Sequence, residues 1–412
     1  MKRILYYPQI SSIENGKVIL NTEATFNIML NFIKEMNCIQ KKKKYEWHMI
    51  IPKNSILDRE IPDNIILHKI YMFPDSKIGR YDFNANGVKA IIDEVKPDLI
   101  FNNNPTLSRN IRILVGDSIP IIQRNDFQGH GLPDNIRYRI RQVDGVMSAD
   151  VAFETSESNK QFFISFARKE FNKKIIDMLQ EKIRTIESGV YKKEVDSYKK
   201  RRPLFPQHFK NMKHIVFPGR ISTTNYNHWR DYVDTILQEK MNRGYMFIFT
   251  NPTKKKGAKI LWDYIYNRDF VITQTEYIYF TEWLCVKKGK SIRIYLFKKP
   301  DSREHYIDLL KQSEIGVQLF EKKEEAYGGI AAREMAHCKM DILLSDTFLI
   351  NGFVGKHYKE YVIFKYSTKE IKSKLDKLVE NESENIFGFS YHYDTTEVGA
   401  LTLLNTMGRL MK

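Results

Sequence analysis

The sequence predicts an α/β protein built from two doubly wound domains that face each other across a cleft. Three observations carry that prediction. Short apolar strands alternate with helices whose apolar residues recur at helical spacing, and the alternation runs through twice. It is interrupted once, at Lys192 to Gln207, which is strongly basic, holds Pro203 and Pro206 and shows no clear apolar period. A length of 412 residues also exceeds one ordinary core. The expected division is residues 1–190, a basic linker over 191–210, a second domain over 211–394, and a helix over 395–412 that packs back on the first domain.

In the first half, Arg3 to Tyr7 reads as a buried strand and Asn15-Gly16 as the turn after it. Phe26, Met29, Leu30, Phe32 and Ile33 give Glu23 to Met36 a helical apolar face. Tyr45 to Ile51, Ile65 to Ile70 and Leu99 to Phe101 are short strands, with a helix over Asn84 to Val95. Pro120 to Ile122 is another strand, and a polar cluster from Gln123 to His130 is expected to form the loop beyond it. A helix over Ile136 to Met147, a strand over Val151 to Phe153 and a helix over Ser158 to Phe171 follow. The second half repeats the rhythm. Its strands are His214 to Phe217, Tyr245 to Phe249, Ser291 to Phe297, Ile315 to Phe320 and Met340 to Leu344. Its helices are Trp229 to Met241, Lys254 to Tyr266, Asp301 to Gln312 and the apolar tail Thr395 to Met411.

The net charge of +16 points to a polyanionic partner, either nucleic acid or an acidic membrane surface. Lysines cluster at 41–44, 199–202 (with Arg201 and Arg202), 254–256 and 287–290. Cys38, Cys285 and Cys338 have no Cys-x-x-Cys spacing, which argues against a disulfide framework or a zinc site. No apolar run approaches the roughly 18 residues that cross a bilayer. Met1-Lys-Arg-Ile-Leu-Tyr-Tyr-Pro opens on a strand instead of a signal peptide, so a reducing cytoplasm is expected.

The most informative stretch runs from Glu325 to Asp346. Gly328-Gly329 opens a helix of small residues (Ala331, Ala332, Ala336) between two apolar strands. Free N–H groups and a positive dipole end then stand at the mouth of the sheet, where a phosphate is favoured. Glu334 is a lone acidic residue inside that helix.

In this order the chain resembles the retaining glycosyltransferases of the GT-B fold, in particular the glycogen-synthase-like group. Thr185-Ile-Glu-Ser-Gly-Val190 resembles that group's Ile-Pro-Asn-Gly-Val hinge, and Phe217-Pro-Gly-Arg-Ile221 its Val-Gly-Arg-Leu strand end. Arg293 to Gln318 matches its strand, helix and strand before the donor helix. Arg333 to Asp346 resembles Leu-Glu-Ala-Met-Ala-Cys-Gly-Leu-Pro-Val-Val-Ala-Ser-Asp. The resemblance implies a nucleotide-sugar donor, with UDP as the expected nucleotide and no cofactor or essential metal. Glu334 would accept bonds from the ribose hydroxyls. Arg220, after Gly219, would hold the diphosphate with its guanidinium fork and stabilise the charge growing on the leaving group. Gly328 and Gly329 would bring backbone N–H groups to the donor.

Two departures from the family pattern stand out. The family's first glutamate precedes the second by eight residues, and that place is Ala326; Glu325, one residue away, is the expected substitute facing the donor sugar. The family's lysine five residues after the arginine is Asn225, so Arg230 or a lysine of 254–256 would supply that charge.

On the acceptor side, Gln123-Arg124-Asn125-Asp126 resembles the Gln-His-Asp-His strand end of phage DNA α-glucosyltransferases of this fold, which have an Ala-Asp-Val strand further on, as Ala149-Asp-Val151 here. Asp126 would orient the acceptor hydroxyl, with His130 as a nearby alternative, and Arg124, Arg137 and Arg141 would contact phosphates. The leading expectation is therefore transfer of a sugar to a hydroxymethylated base in double-stranded bacteriophage DNA, in the host cytoplasm. One alternative is a lipid-linked or cell-surface glycan at a membrane surface, for which Tyr277 to Lys290 would form an amphipathic helix. The other is a non-catalytic nucleic-acid-binding protein on the same scaffold, prompted by Ala326 and Asn225.

Overall fold

The computed structural model describes residues 1–412 apart from 11–12, 15–16, 21–23, 41–43, 58–59, 72–73, 76–79, 82, 126–135, 187–189, 199–203, 206–208, 210, 220, 222, 224–227, 239–243, 251–254, 299–302, 320–329, 346–361, 364 and 381–395. The chain divides into two compact units, Met1–Gly189 with Asp394–Lys412, and Val190–Tyr393.

The first unit holds a seven-stranded sheet. From edge to edge its strands are Ile65–Ile70, Tyr45–Pro52, Lys2–Tyr7, Leu99–Asn102, Ile121–Asn125, Val151–Glu154 and Ile183–Thr185. All neighbours run parallel. Strands covered on both faces read as unbroken apolar runs, as in Ile4, Leu5, Tyr6 and Tyr7, all buried. Building from Lys2–Tyr7, the sheet grows first to one side and then, at Leu99–Asn102, to the other. That reversal is the topological switch point of a Rossmann-like sheet.

The second unit repeats the arrangement. Its order is Val362–Ile363, Asp341–Ser345, Ile315–Gln318, Lys213–Phe217, Tyr245–Phe249 and Lys290–Phe297, and the reversal falls between Lys213–Phe217 and Ile315–Gln318. A hairpin strand pair, Phe280–Lys287 and Val271–Glu276, extends the Lys290–Phe297 edge antiparallel. This corrects the amphipathic helix expected over Tyr277 to Lys290. Phe280 and Trp283 are buried, and Trp283 meets Trp262 edge-on with ring centroids 5.1 Å apart. The aromatics serve the core, and Lys287 at the hairpin end donates to the Arg268 carbonyl at 2.7 Å and pairs with Asp269.

Further features differ from the sequence reading, among them the helices Ser108–Val115 and Thr368–Glu380, which it did not include. A helix over Lys173–Lys182 and the strand Ile183–Thr185 were not expected; Ile175, Ile176 and Leu179 supply the helix's apolar face between charged residues, and the Asn172 side chain caps it by accepting from Ile175 N–H. The basic stretch 191–210 lies in the second unit, where Lys192–Ser197 is a helix and Val195, Leu204, Phe205 and Phe209 enter the core. The strand read as ending at Ile122 runs on through Asn125. Gln123, Arg124 and Asn125 are all buried there: Gln123 Nε2 donates to Asn125 Oδ1 at 2.7 Å, Asn125 Nδ2 donates to Glu154, and Gln123 Oε1 is enclosed without a hydrogen-bond partner among the described residues.

The helix Thr396–Leu410 lies against Ala24–Ile39 in the first unit, burying Ala400, Leu403 and Met407. Gly399 permits the contact: a Cβ there would stand 2.9 Å from Phe32 Cζ. No described helix is long and apolar enough to cross a membrane.

Candidate active site

In a doubly wound sheet, ligands bind beyond the carboxyl ends of the strands at the switch point. In the second unit Lys213–Phe217 and Ile315–Gln318 are neighbours there, with Val216 beside Gly316. Half-buried Gly219 follows the first strand, and the helix Ile330–His337 returns after the second. That helix is rich in small residues because it seats directly on the sheet. Ala332, Met335 and Ala336 are buried, and a Cβ on Gly316 would stand 3.0 Å from Met335 Cε.

Glu334 is only 3% exposed. A carboxylate enclosed in this way must be paired or become neutral. Arg303, the first residue of the helix Arg303–Lys311, donates from Nη2 to Glu334 Oε1. Its Nε donates to Glu194 Oε2 at 3.1 Å, on the helix Lys192–Ser197. Burial opposes the Arg303 charge, but Glu334 and Glu194 outweigh it and hold the guanidinium pKa above its ordinary value. Burial, reinforced by Glu334, pushes the Cys338 thiol up to about 12 and raises the Tyr306 hydroxyl as well. Both stay neutral near pH 7, so Cys338 is no nucleophile. Nothing in the sequence linked residues 194, 303 and 334, because charge pairing across helices leaves no periodic signature.

Arg230 opens the helix Trp229–Ile236 as its second residue. Its Nη2 donates to the Thr223 carbonyl at 2.7 Å, and its guanidinium lies 5.3 Å from the Trp229 ring centroid and 5.8 Å from that of Tyr264. Arg230 therefore braces the loop beyond the first strand. At the end of that loop His228 takes a left-handed conformation (φ 49°). Its Nδ1 lies 3.0 Å from Asp231 Oδ2, and its ring stacks on Tyr366 at 3.6 Å. Arg220, Glu325, Gly328 and Gly329 lie outside the described residues.

At the carboxyl ends of the first sheet, Asn102, Gln123, Asn125 and Glu154 form a buried polar layer. Glu154 was not picked out from the sequence. Arg124, expected to reach an acceptor from a loop, is instead 1% exposed in the strand, its guanidinium 4.8 Å from the Phe32 ring centroid. Arg141 is exposed on the helix Ile136–Ser148, near exposed Ile136 and Ile140. Asp126 and His130, and the side chain of Arg137, lie outside the described residues. Among the described residues, no cluster of His, Cys, Asp and Glu has a geometry that would hold a metal ion.

No protein-family model matches the chain, and no curated protein matches it. Solved structures do match over its full length. Sucrose-phosphate synthase from Thermosynechococcus elongatus has a TM-score of 0.67 at 11% identity, covering 100% of this chain and 99% of that one. A UDP-forming α,α-trehalose-phosphate synthase from Burkholderia xenovorans has a TM-score of 0.66 at 12% identity, with 100% of both chains covered. HepE of Anabaena, in complex with UDP and glucose, has a TM-score of 0.65 at 9% identity, covering 99% of this chain and 100% of that one. End-to-end coverage at these TM-scores, with one parallel-dominated sheet in each unit, gives this chain the α/β architecture of those proteins, the GT-B fold with two Rossmann-like units.

Proposed function

We propose that this protein is a retaining glycosyltransferase that moves a sugar from a UDP-sugar to a hydroxyl of an anionic acceptor. The observation that carries the reading is Glu334. It is a buried, arginine-paired carboxylate on the helix that follows the switch-point strand, in a chain whose whole length shares its fold with proteins named as UDP-forming or bound to UDP. In this reading Glu334 receives the ribose hydroxyls. Arg220 holds the diphosphate and takes the charge that grows as the sugar leaves, a task electrostatic preorganisation performs without proton transfer. Gly219 allows the close backbone approach, Gly328 and Gly329 open the helix to the donor, and Glu325 faces its sugar. Asp126, with His130 near it, orients the acceptor hydroxyl.

The charge of +16 favours a polyanionic acceptor, and hydroxymethylated duplex DNA in an infected cytoplasm is the acceptor we put first. The target base would leave the stack to reach the site, with Arg137 and Arg141 on the phosphates. A lipid-linked glycan at an anionic membrane is the second reading, favoured by exposed Ile136 and Ile140 beside exposed Arg141.

Release of UDP from UDP-sugars, followed with each acceptor in turn and in the presence of a chelator, tests this. We expect turnover that hydroxymethylated duplex stimulates and that falls steeply between low and moderate salt, as phosphate contacts require. Chelation should leave the rate unchanged. Stimulation by anionic vesicles carrying a lipid-linked glycan, and not by duplex, would select the second acceptor. No turnover of any nucleotide sugar would leave the nucleic-acid-binding scaffold in its place.

A further inference from the structure

We propose that Arg303 is the positioning residue for Glu334, and that the segment 192–198 is a working part of the donor site and not a tether between the units. The inference deepens the donor reading above and rests on it.

The Arg303 guanidinium is held at two points in one plane. Nη2 binds Glu334 Oε1, and Nε binds Glu194 Oε2 at 3.1 Å. A planar fork fixed at both ends sets the direction of the carboxylate it binds, which a lysine ammonium on a flexible stem does not. With Oε1 taken by Arg303, Oε2 of Glu334 has no partner among the described residues and is the oxygen left for a ligand hydroxyl. Glu194 in turn is placed by the rest of its segment. Lys311 Nζ donates to the Val195 carbonyl at 2.6 Å and to the Tyr198 carbonyl. His337 Nε2 lies 2.8 Å from Asp196 Oδ1, and Val195 is fully buried. The helix carrying Arg303 and the helix carrying Glu334 thus each grip the segment that supplies Glu194. A cation that only neutralised Glu334 would need neither the second carboxylate nor these anchors.

The test measures dissociation constants by calorimetry for UDP and for 2′,3′-dideoxy-UDP, which lacks the hydroxyls Glu334 would bind. In the wild-type protein we expect UDP to bind about 100-fold more tightly than the dideoxy analogue, the worth of one or two bonds to a charged group. Arg303→Met should reduce that ratio to below about 5-fold while leaving the dideoxy analogue within about 3-fold of its wild-type affinity. Arg303→Lys should not restore the ratio. Glu194→Gln, which keeps the Arg303–Glu334 pair and guards against a misfolded Met variant, should lower it in the same direction. A role in folding alone would weaken both ligands equally; an unchanged ratio in Arg303→Met and Glu194→Gln, or full restoration by lysine, overturns the proposal. If the wild-type protein itself fails to bind UDP or to distinguish the two ligands, the donor reading falls and this inference with it.

Discussion

Replacing Glu334 with alanine is expected to lower kcat/KM for the nucleotide sugar by about 100- to 1000-fold. A hydrogen bond to a charged group contributes about 1.5–3 kcal/mol, and each 1.4 kcal/mol is tenfold, so losing the bonds to a diol reaches this range. The substitution also removes one partner from an enclosed ion pair, which costs more where the surviving charge is left alone. Here Arg303 keeps Glu194, so a lowered Tm with a folded protein is the expected outcome, and kinetics are read below the new transition. Glu334→Gln retains shape and an acceptor oxygen but not the charge, and should fall between wild type and alanine. Steady-state kinetics beside thermal unfolding separate the two effects. Wild-type kinetics in the alanine variant would remove Glu334 from the donor site.

Gly145→Ala is expected to destabilise the first unit by about 3 kcal/mol, at the upper end of overpacking costs. Gly145 lies within the helix Ile136–Ser148, where a Cβ would collide with the Pro105 carbonyl oxygen and stand 2.7 Å from Gln123 Oε1. The obstacle is backbone, which cannot swing aside. The sign is what makes the experiment informative, because alanine is the better helix former by about 1 kcal/mol. Gly408, in the helix Thr396–Leu410, is the matched control, since a Cβ there meets nothing within 4 Å. Gly408→Ala should be neutral or stabilising by up to about 1 kcal/mol in denaturant unfolding. Equal effects at the two positions would contradict the packing described between the 136–148 helix and the Pro105 loop.

The strands were the most legible part of the sequence. Tyr245–Phe249 is an apolar run and Ile65–Ile70 an isoleucine- and leucine-rich one broken by His68 and Lys69, and the limits of both were read correctly. The Lys173–Lys182 helix was missed because its few apolar residues are diluted by lysine and glutamate, and the Val271–Glu276 strand because it is an exposed edge with mostly polar side chains. Gln123 to Asn125 read as a loop because a sequence shows polarity but not partners; once Gln123, Asn125 and Glu154 bond one another, the same residues belong inside a strand. The site divides along the same line. Glu334 stood out as an acid in a helix of small residues, a local feature. Arg303 and Glu194 gave no signal, since their pairing joins positions 31 and 109 residues apart. The tyrosine and lysine segment before Ser291 misled for the opposite reason: its spacing suited a helix surface loosely, but its alternation suited a hairpin, and burial of Phe280 and Trp283 decided between them.

The most direct test of a UDP-sugar site on the Ile330–His337 helix is calorimetric titration of UDP into the wild-type protein and into Glu334→Ala. Saturable binding of one UDP per chain in the wild type, weakened by about 100-fold or more in the variant, is the expected result. Absence of UDP binding to the wild type, or equal affinity in both proteins, would contradict the assignment.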